Sequence, residues 1–323
     1  MEELANTLGD FIGGLLPEPP RSAMIDLDSI AEQGRLSLWG REQRDLTAAF
    51  HPSSLSDPCM RFDVVRLMLV GKTWDHEKFP INMQISPTPD ANLFDYVLHR
   101  RFDVGTALHE MEQNKYFGES PKLLGRWRCS CCGVTRHTAQ PRPQPCDNVV
   151  SVRYANGVLV EDRYCRRQGA WEYQEVRMQH SELGIRARID LPILHQGRVY
   201  IGDLKTLGAG RWEQLQRYGR CFPKDEMQLK IYLFLANEGG YFQYPVEEGI
   251  LRYIHQGDPE AGSVHFGVVR DPVAEDWLRE YIGTVRKLAS ESRWSVATCT
   301  CNKKTQARAK RCPLRPLCFP KSK

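Results

Sequence analysis

The chain has 323 residues, 26% of them charged and 41% hydrophobic, a globular composition with enough length for one large domain or two ordinary ones. No apolar run approaches the roughly 20 residues that would span a bilayer, so no membrane partner is expected. The net charge of +4 is unevenly spread: residues 1–50 hold nine acidic and four basic side chains, and residues 303–323 hold eight basic and no acidic ones, a bias that suits a polyanionic partner as well as a solvated tail.

In chain order, "MEELANTLGDFIGGLLPEPP" begins acidic and lacks a basic n-region, so it is not expected to be a signal peptide. It is read as a short amphipathic helix ended by prolines, and residues 1–50 as an N-terminal helical extension of a cytoplasmic protein. "SSLSDPCMRFDVVRLM" then places Cys59 just before a helix. "RFDVGTALHEME" is a second helix, with His109 one turn after Gly105.

Eleven cysteines without a secretion signal point to metal ligation rather than disulfides. The middle group opens with a C-x2-C-G knuckle, Cys129 and Cys132, of the kind that begins a zinc ribbon, and Cys146 follows a proline-rich loop. The fourth ligand is either His137 or Cys165. Cys165 is preferred because ribbons pair two knuckles, with "VVSVRYANGVLVEDRY" between them as a hairpin on an Asn-Gly turn. Residues 126–170 are therefore read as a zinc-binding insertion. The second group, Cys299, Cys301, Cys312 and Cys318, lies in a cysteine-rich tail over 295–320.

"WEYQEVRM" puts Glu175 on a strand. Beyond it, "GIRARIDLPILH" and "RVYIGDLKT" read as two strands joined by a two-residue turn at Gln196 and Gly197. That register pairs His195 with Arg198 and sets Asp190 opposite Asp203, with Lys205 two residues on and on the same face. Pro192 demands an edge or a bulge. Two facing carboxylates repel unless a cation lies between them. A hard divalent ion such as Mg²⁺ or Mn²⁺ accepts such ligands and leaves positions for water and phosphate oxygens. A lysine beside it can orient or deprotonate the attacking water, which together is the equipment for phosphodiester hydrolysis. "DEMQLKIYLFLANEGG" follows as an amphipathic helix with Gln228 and Tyr232 on one face. The sequence holds no GxxxxGK[ST] loop, so an NTPase motor of that kind would have to come from a partner.

The series Gly105/His109, Glu175, Gly184/Asp190, Asp203-Leu204-Lys205 and Gln228/Tyr232 resembles the motifs GxxxH, E…GxxxxxD, DxK and QxxxY of RecB-type nucleases in the PD-(D/E)XK superfamily. The one departure is Ala187, where relatives often carry glycine. The resemblance spans roughly 50–320 and implies an α/β fold, a mixed central sheet flanked by helices, for a nuclease domain over 51–320. It implies His109, Asp190, Asp203 and the Leu204 carbonyl as ligands of Mg²⁺ or Mn²⁺, Lys205 as the catalytic lysine, and Gln228 and Tyr232 near DNA. His109 marks the exonucleolytic members, so the expected activity is a metal-dependent DNA exonuclease in recombination, replication or repair.

A subgroup that includes AddB-type and CRISPR-adaptation exonucleases holds a [4Fe-4S] cluster on one distant N-terminal cysteine and three near the C-terminus. Here that implies Cys59, Cys312, Cys318 and either Cys301, which is preferred, or Cys299, stapling the tail to residue 59. Some phage relatives carry a zinc ribbon at the place of the middle cysteines, which suggests a phage origin. The alternative readings are a catalytically inactive nucleic-acid-binding module and a subunit that needs a helicase or recombinase partner.

Overall fold

The computed structural model describes residues 48–75, 96–143, 146, 148–155, 158–165, 171–246, 248–301, 312 and 314–319. The expected N-terminal extension lies outside them up to residue 47, as do the Asn156-Gly157 turn and most of the tail between Cys301 and Cys312. All described residues except Tyr96 belong to one compact unit, Asp45–Met83 with Val97–Lys323.

Among the described residues three helices come first: α1 (Pro52–Leu55), α2 (Met60–Val70) and α3 (Tyr96–Met111), the last continued by a π-helical stretch, Glu112–Phe117. Strands β1 (Gly125–Cys129) and β2 (Thr135–Gln140) pair with each other, and β1 also pairs with β5 (Trp171–Gln174). Between these, β3 (Val149–Ala155) and β4 (Val158–Tyr164) form the expected hairpin. A two-stranded ribbon follows, β6 (Val176–His180) with β7 (Ile185–Ile189).

The largest sheet among the described residues is mixed, in the order β11-β10-β9-β8, from β8 (Leu191–His195), β9 (Arg198–Leu207), β10 (Glu248–His255) and β11 (Ser263–Val269). β9 and β10 are its parallel pair. Their connection carries α4 (Ala209–Tyr218) and α5 (Pro223–Glu238), because a parallel pair needs a crossover. Helix α6 (Pro272–Ser290) starts on an Asp271 cap, whose carboxylate accepts from the amides of Val273 and Ala274, with Pro272 in the first turn. It packs on α2 and α5.

The hairpin register is as expected: Gln196 and Gly197 both have positive φ, and His195 pairs with Arg198 and Leu191 with Gly202. Pro192 is tolerated because β8 is the edge strand, and its carbonyl accepts from Leu124 N at 2.8 Å. One expectation is corrected. "GIRARIDLPILH" is not a single strand but breaks at Asp190, with β7 before the break pairing with β6 and β8 after it pairing with β9. The ladder therefore stops one pair short of an Asp190–Asp203 pairing, and Asp190 lies at the bend where the chain changes sheets.

Helix α5 also differs from its reading as amphipathic. Asp225, Gln228, Leu229 and the whole run Ile231–Ala236 are buried, since sheet strands, α1 and α6 cover the helix from several sides. A helix walled in this way loses the polar stripe of a surface helix.

Candidate functional site

The bend at Asp190 gathers the polar side chains that the sequence singles out. His109 reaches it from α3, which approaches the end of β9 so closely that a Cβ on Gly105 would sit 2.8 Å from Thr206 Oγ1. Only a glycine lets that helix lie so near the strand. On the ribbon, Gly184 adopts φ +65° in the turn before β7, and its carbonyl accepts from Phe50 N. Glu175 is not within a strand but in the break between β5 and β6.

His109 Nε2 lies 2.9 Å from Asp190 Oδ2. One ligand atom each of His109, Glu175 and Asp190 falls within 4.8 Å of the other two. A Mg²⁺ ion with bonds of ~2.1 Å separates neighbouring donors by about 3 Å and opposite ones by about 4.2 Å, so the three fit one hard cation. The backbone of Asp190 is pinned on the other side: its carbonyl accepts from Tyr173 OH at 2.7 Å and from Gln113 Nε2 at 3.1 Å. Gln113 also donates to Glu175 Oε1 at 3.4 Å, and Leu204 N donates to Asp190 Oδ2 at 2.9 Å.

Asp203 stands outside that triad. It is 1% exposed, and its Oδ2 lies 2.7 Å from Lys205 Nζ, an ion pair without a well-directed hydrogen bond. Lys205 also donates to Gln228 Oε1 at 3.4 Å, and Gln228 Nε2 donates to Tyr232 OH at 2.8 Å. DxK and QxxxY thus meet in one buried chain of contacts. Glu175, which the motif series contains but the expected ligand set does not, joins the triad; its place in that series was the available signal.

The electrostatics are those of an acidic pocket that favours a cation. Burial pushes Asp203 up to about 7, with Asp190 and Asp225 adding to the rise and Lys205 opposing it. Glu175 is raised by burial and then by Asp190. For His109, burial favours the neutral ring, but the hydrogen bond to Asp190 and the charges of Asp190, Glu175 and Asp203 outweigh it, so its pKa rises. Burial likewise opposes the charge on Lys205, and Asp203 and Asp190 overcome it.

The middle cysteines form a second centre. Cys129, Cys132, Cys146 and Cys165 each bring their sulphur within 4.8 Å of the others, with Cys129–Cys165 at 3.4 Å and Cys132–Cys146 at 3.6 Å. Tetrahedral zinc with Zn–S bonds of ~2.3 Å holds its sulphurs about 3.8 Å apart, so the donor set fits that ion. The backbone closes the site: Gly133 N donates to Cys129 O, and Cys165 N to Asn148 O. Burial opposes ionisation of Cys129, but the backbone amides of Cys132 and Cys131 and the Cys165 thiol bring it down to about 7. Cys131 is exposed and outside the group, and the His137 side chain lies outside the described residues.

At the far end, Arg61 binds the tail to the start of α2. Its Nε donates to Ala297 O, its second guanidinium nitrogen to Ser295 O, and its third to Cys318 Sγ at 3.5 Å. Cys59 Sγ lies 3.9 Å from Cys299 Sγ. Cys312 is pushed up to about 11 by burial, with Cys59, Cys318 and Cys301 raising it further. Cys59, Cys301 and Cys318 are therefore near enough to Cys312 to act on it electrostatically, an arrangement compatible with thiolate ligation of iron.

Residues 90–319 match the family model described as the PD-(D/E)XK nuclease superfamily. Among solved structures, the crystal structure of SSO0001 is 15% identical, with 88% of this chain and 95% of that one covered at a TM-score of 0.33. An alkaline exonuclease from Laribacter hongkongensis is 10% identical over 38% of this chain and 59% of its own length, at a TM-score of 0.30. A comparison with curated proteins gives no match.

Proposed function

The chain belongs to the PD-(D/E)XK nuclease superfamily, and on that premise we propose that it is a metal-dependent exonuclease that hydrolyses phosphodiester bonds from DNA ends. The observation that carries this reading is the convergence of His109, Glu175 and Asp190 beside the Asp203–Lys205 pair. Mg²⁺ or Mn²⁺ held by His109, Asp190, Asp203 and the Leu204 carbonyl, with Glu175 as a further donor, would polarise the scissile phosphate. Asp190 is held for that task by Tyr173, Gln113 and the Leu204 amide. Lys205, kept protonated by Asp203 and Asp190, orients the attacking water and offsets charge gathering on the phosphoryl oxygens. Gln228 accepts from Lys205 and donates to Tyr232, so this buried pair would act on the strand by fixing that lysine. Preference for ends rests on His109, the residue of the exonucleolytic members that the sequence resembles.

In the same reading the domain spans 51–320. Residues 126–170 are an inserted zinc element on Cys129, Cys132, Cys146 and Cys165. A [4Fe-4S] cluster on Cys59, Cys301, Cys312 and Cys318 staples the tail, a role that suits the hold of Arg61 on residues 295, 297 and 318. The test is cleavage of end-labelled linear DNA, single- and double-stranded, beside closed circles, in Mg²⁺ or Mn²⁺. Linear substrates should be degraded and circles spared, with Lys205→Ala lowering the rate by about 10²-fold or more. Cleavage of circles would make the enzyme an endonuclease. Absence of metal-dependent cleavage by folded protein would shift the reading to a binding module or a subunit that works only with a helicase or recombinase.

A further inference from the structure

The β6–β7 ribbon carries a second charge pattern that the chemistry above does not use. Its ladder pairs Val176 with Ile189, Arg177 with Arg188 and Gln179 with Arg186. One position beyond its last pair lie Glu175 and Asp190, whose carboxylates come within 4.8 Å of each other. Alternation along a strand puts every second residue on one face. One face of the ribbon therefore presents two facing arginines and then Gln179 with Arg186, starting from the end that carries the acidic pair. Arg177, Arg186 and Arg188 are all exposed, whereas Val176, Met178, Ile185, Ala187 and Ile189 on the opposite face are buried.

Like charges directly opposite each other destabilise an antiparallel pair. None of Arg177, Arg186 and Arg188 forms an ion pair with a described carboxylate, although Glu175 feels the charge of Arg188. Arg126 on the neighbouring β1 adds to the cluster: its Nε is buried with no hydrogen-bond partner, and burial together with the charges of Arg177 and Arg188 lowers its pKa. A ribbon that pays for such repulsion within reach of a metal triad has the electrostatics of a surface completed by an anion.

We propose that Arg177 and Arg188, flanked by Arg126 and Arg186, grip the phosphodiester backbone of the DNA strand at the phosphate next to the scissile one. The inference rests on the nuclease reading and adds the direction in which the strand leaves the metal, along the ribbon toward Gly184. Two residues of strand advance ~6.6 Å, close to the step between successive phosphates of an extended nucleic-acid strand. A phosphate on the acidic pair through its cation therefore places the next one over the arginines. Guanidinium groups suit that contact, because their forked donors match phosphate oxygens. The contact carries no base specificity, because it reaches only phosphate oxygens.

The experiment measures binding and cleavage separately. Binding of fluorescent oligonucleotides to the Asp203→Asn protein in Ca²⁺ is followed by anisotropy across a series of salt concentrations. The same background carries Arg177→Gln, Arg188→Gln or both, with Arg293→Gln as the control for simple loss of surface charge. Each ribbon substitution should flatten the dependence of log K on log salt, and the pair by about 0.7 for single strands, the share of one phosphate. With Asp203 intact, the pair should raise KM about tenfold or more and leave kcat within about threefold. Arginine-to-lysine variants, which keep the charge, should restore most of the salt slope, an outcome that a purely structural role would not give. Unchanged slopes and KM in folded double variants would overturn the proposal, as would an equal loss in the Arg293→Gln control. If the parent protein neither binds nor cleaves DNA, it is the nuclease reading that fails instead.

Discussion

Asp203 offers the sharpest test of the site, because a carboxylate that is 1% exposed and pushed up to about 7 must leave a mark on stability. In the unfolded chain it loses its proton near the ordinary 3.8. Below that pH both states are protonated and burial costs nothing by this route. As pH rises toward 7 the unfolded chain has released the proton and the native protein still holds it, so stability falls by up to about 1.4 kcal/mol per pH unit. Over roughly 3 pH units the loss is on the order of 4 kcal/mol, fully developed above about 7. His109 and Glu175 are raised as well and act in the same direction, each losing stability as pH rises through its folded pKa. The assay is urea unfolding of protein freed of Mg²⁺ and Mn²⁺, at intervals from pH 5 to 8, for the parent and Asp203→Asn. The parent should lose stability with rising pH more steeply than the variant, by about one proton's worth, and added Mg²⁺ should recover the loss at pH 8. Parallel profiles for the two proteins would mean that Asp203 does not hold the proton, and the account of the pocket would be wrong.

Three further outcomes are expected. Cys146→Ser should reduce bound zinc to a small fraction of that in the parent by elemental analysis, and should speed proteolysis within residues 126–170; retained zinc would refute the four-cysteine centre. Gly125→Ala would bring a Cβ to 2.4 Å and 2.6 Å from ring atoms of Tyr173. The overpacking should cost about 1–3 kcal/mol in melting experiments. It should also slow cleavage, because Tyr173 OH holds the Asp190 carbonyl; an unchanged rate would show that this tether is dispensable. Protein purified without oxygen should be brown, and Cys312→Ser should bleach it; a colourless parent that contains zinc alone would end the cluster assignment.

The sequence announced the chemistry better than it announced the joints. Positive φ at Gln196 and Gly197 fixes the hairpin, so the pairing of β8 with β9 follows from the turn residues alone. The break at Asp190 left little trace, since apolar, strand-forming residues lie on both sides of it and nothing local records a change of partner. Pro192 was the single hint, and it speaks of an edge rather than a seam. The choice between His137 and Cys165 was even on spacing; Cys165 is brought back to the knuckle by β3 and β4 and by its own bond to Asn148, which only tertiary structure supplies. Helix α5 looked amphipathic because Asp225, Gln228 and Tyr232 are polar. In the fold they face inward, Asp225 accepting from Tyr253 OH and Gln228 joining the lysine. The face-to-face arginines could not be seen before the Gly184 turn set the register of β6 and β7.

The change of sheet at Asp190 has a mechanical consequence. One residue is the pivot between two arms: the ribbon with its arginines on one side, and the sheet with Asp203 and Lys205 on the other. The centre where both meet takes its position from the two arms together, so in the proposed reading a substrate strand laid along the ribbon would bear directly on the alignment of the ligands. In the nuclease reading, gripping the substrate and setting the geometry for cleaving it would pass through the same residue.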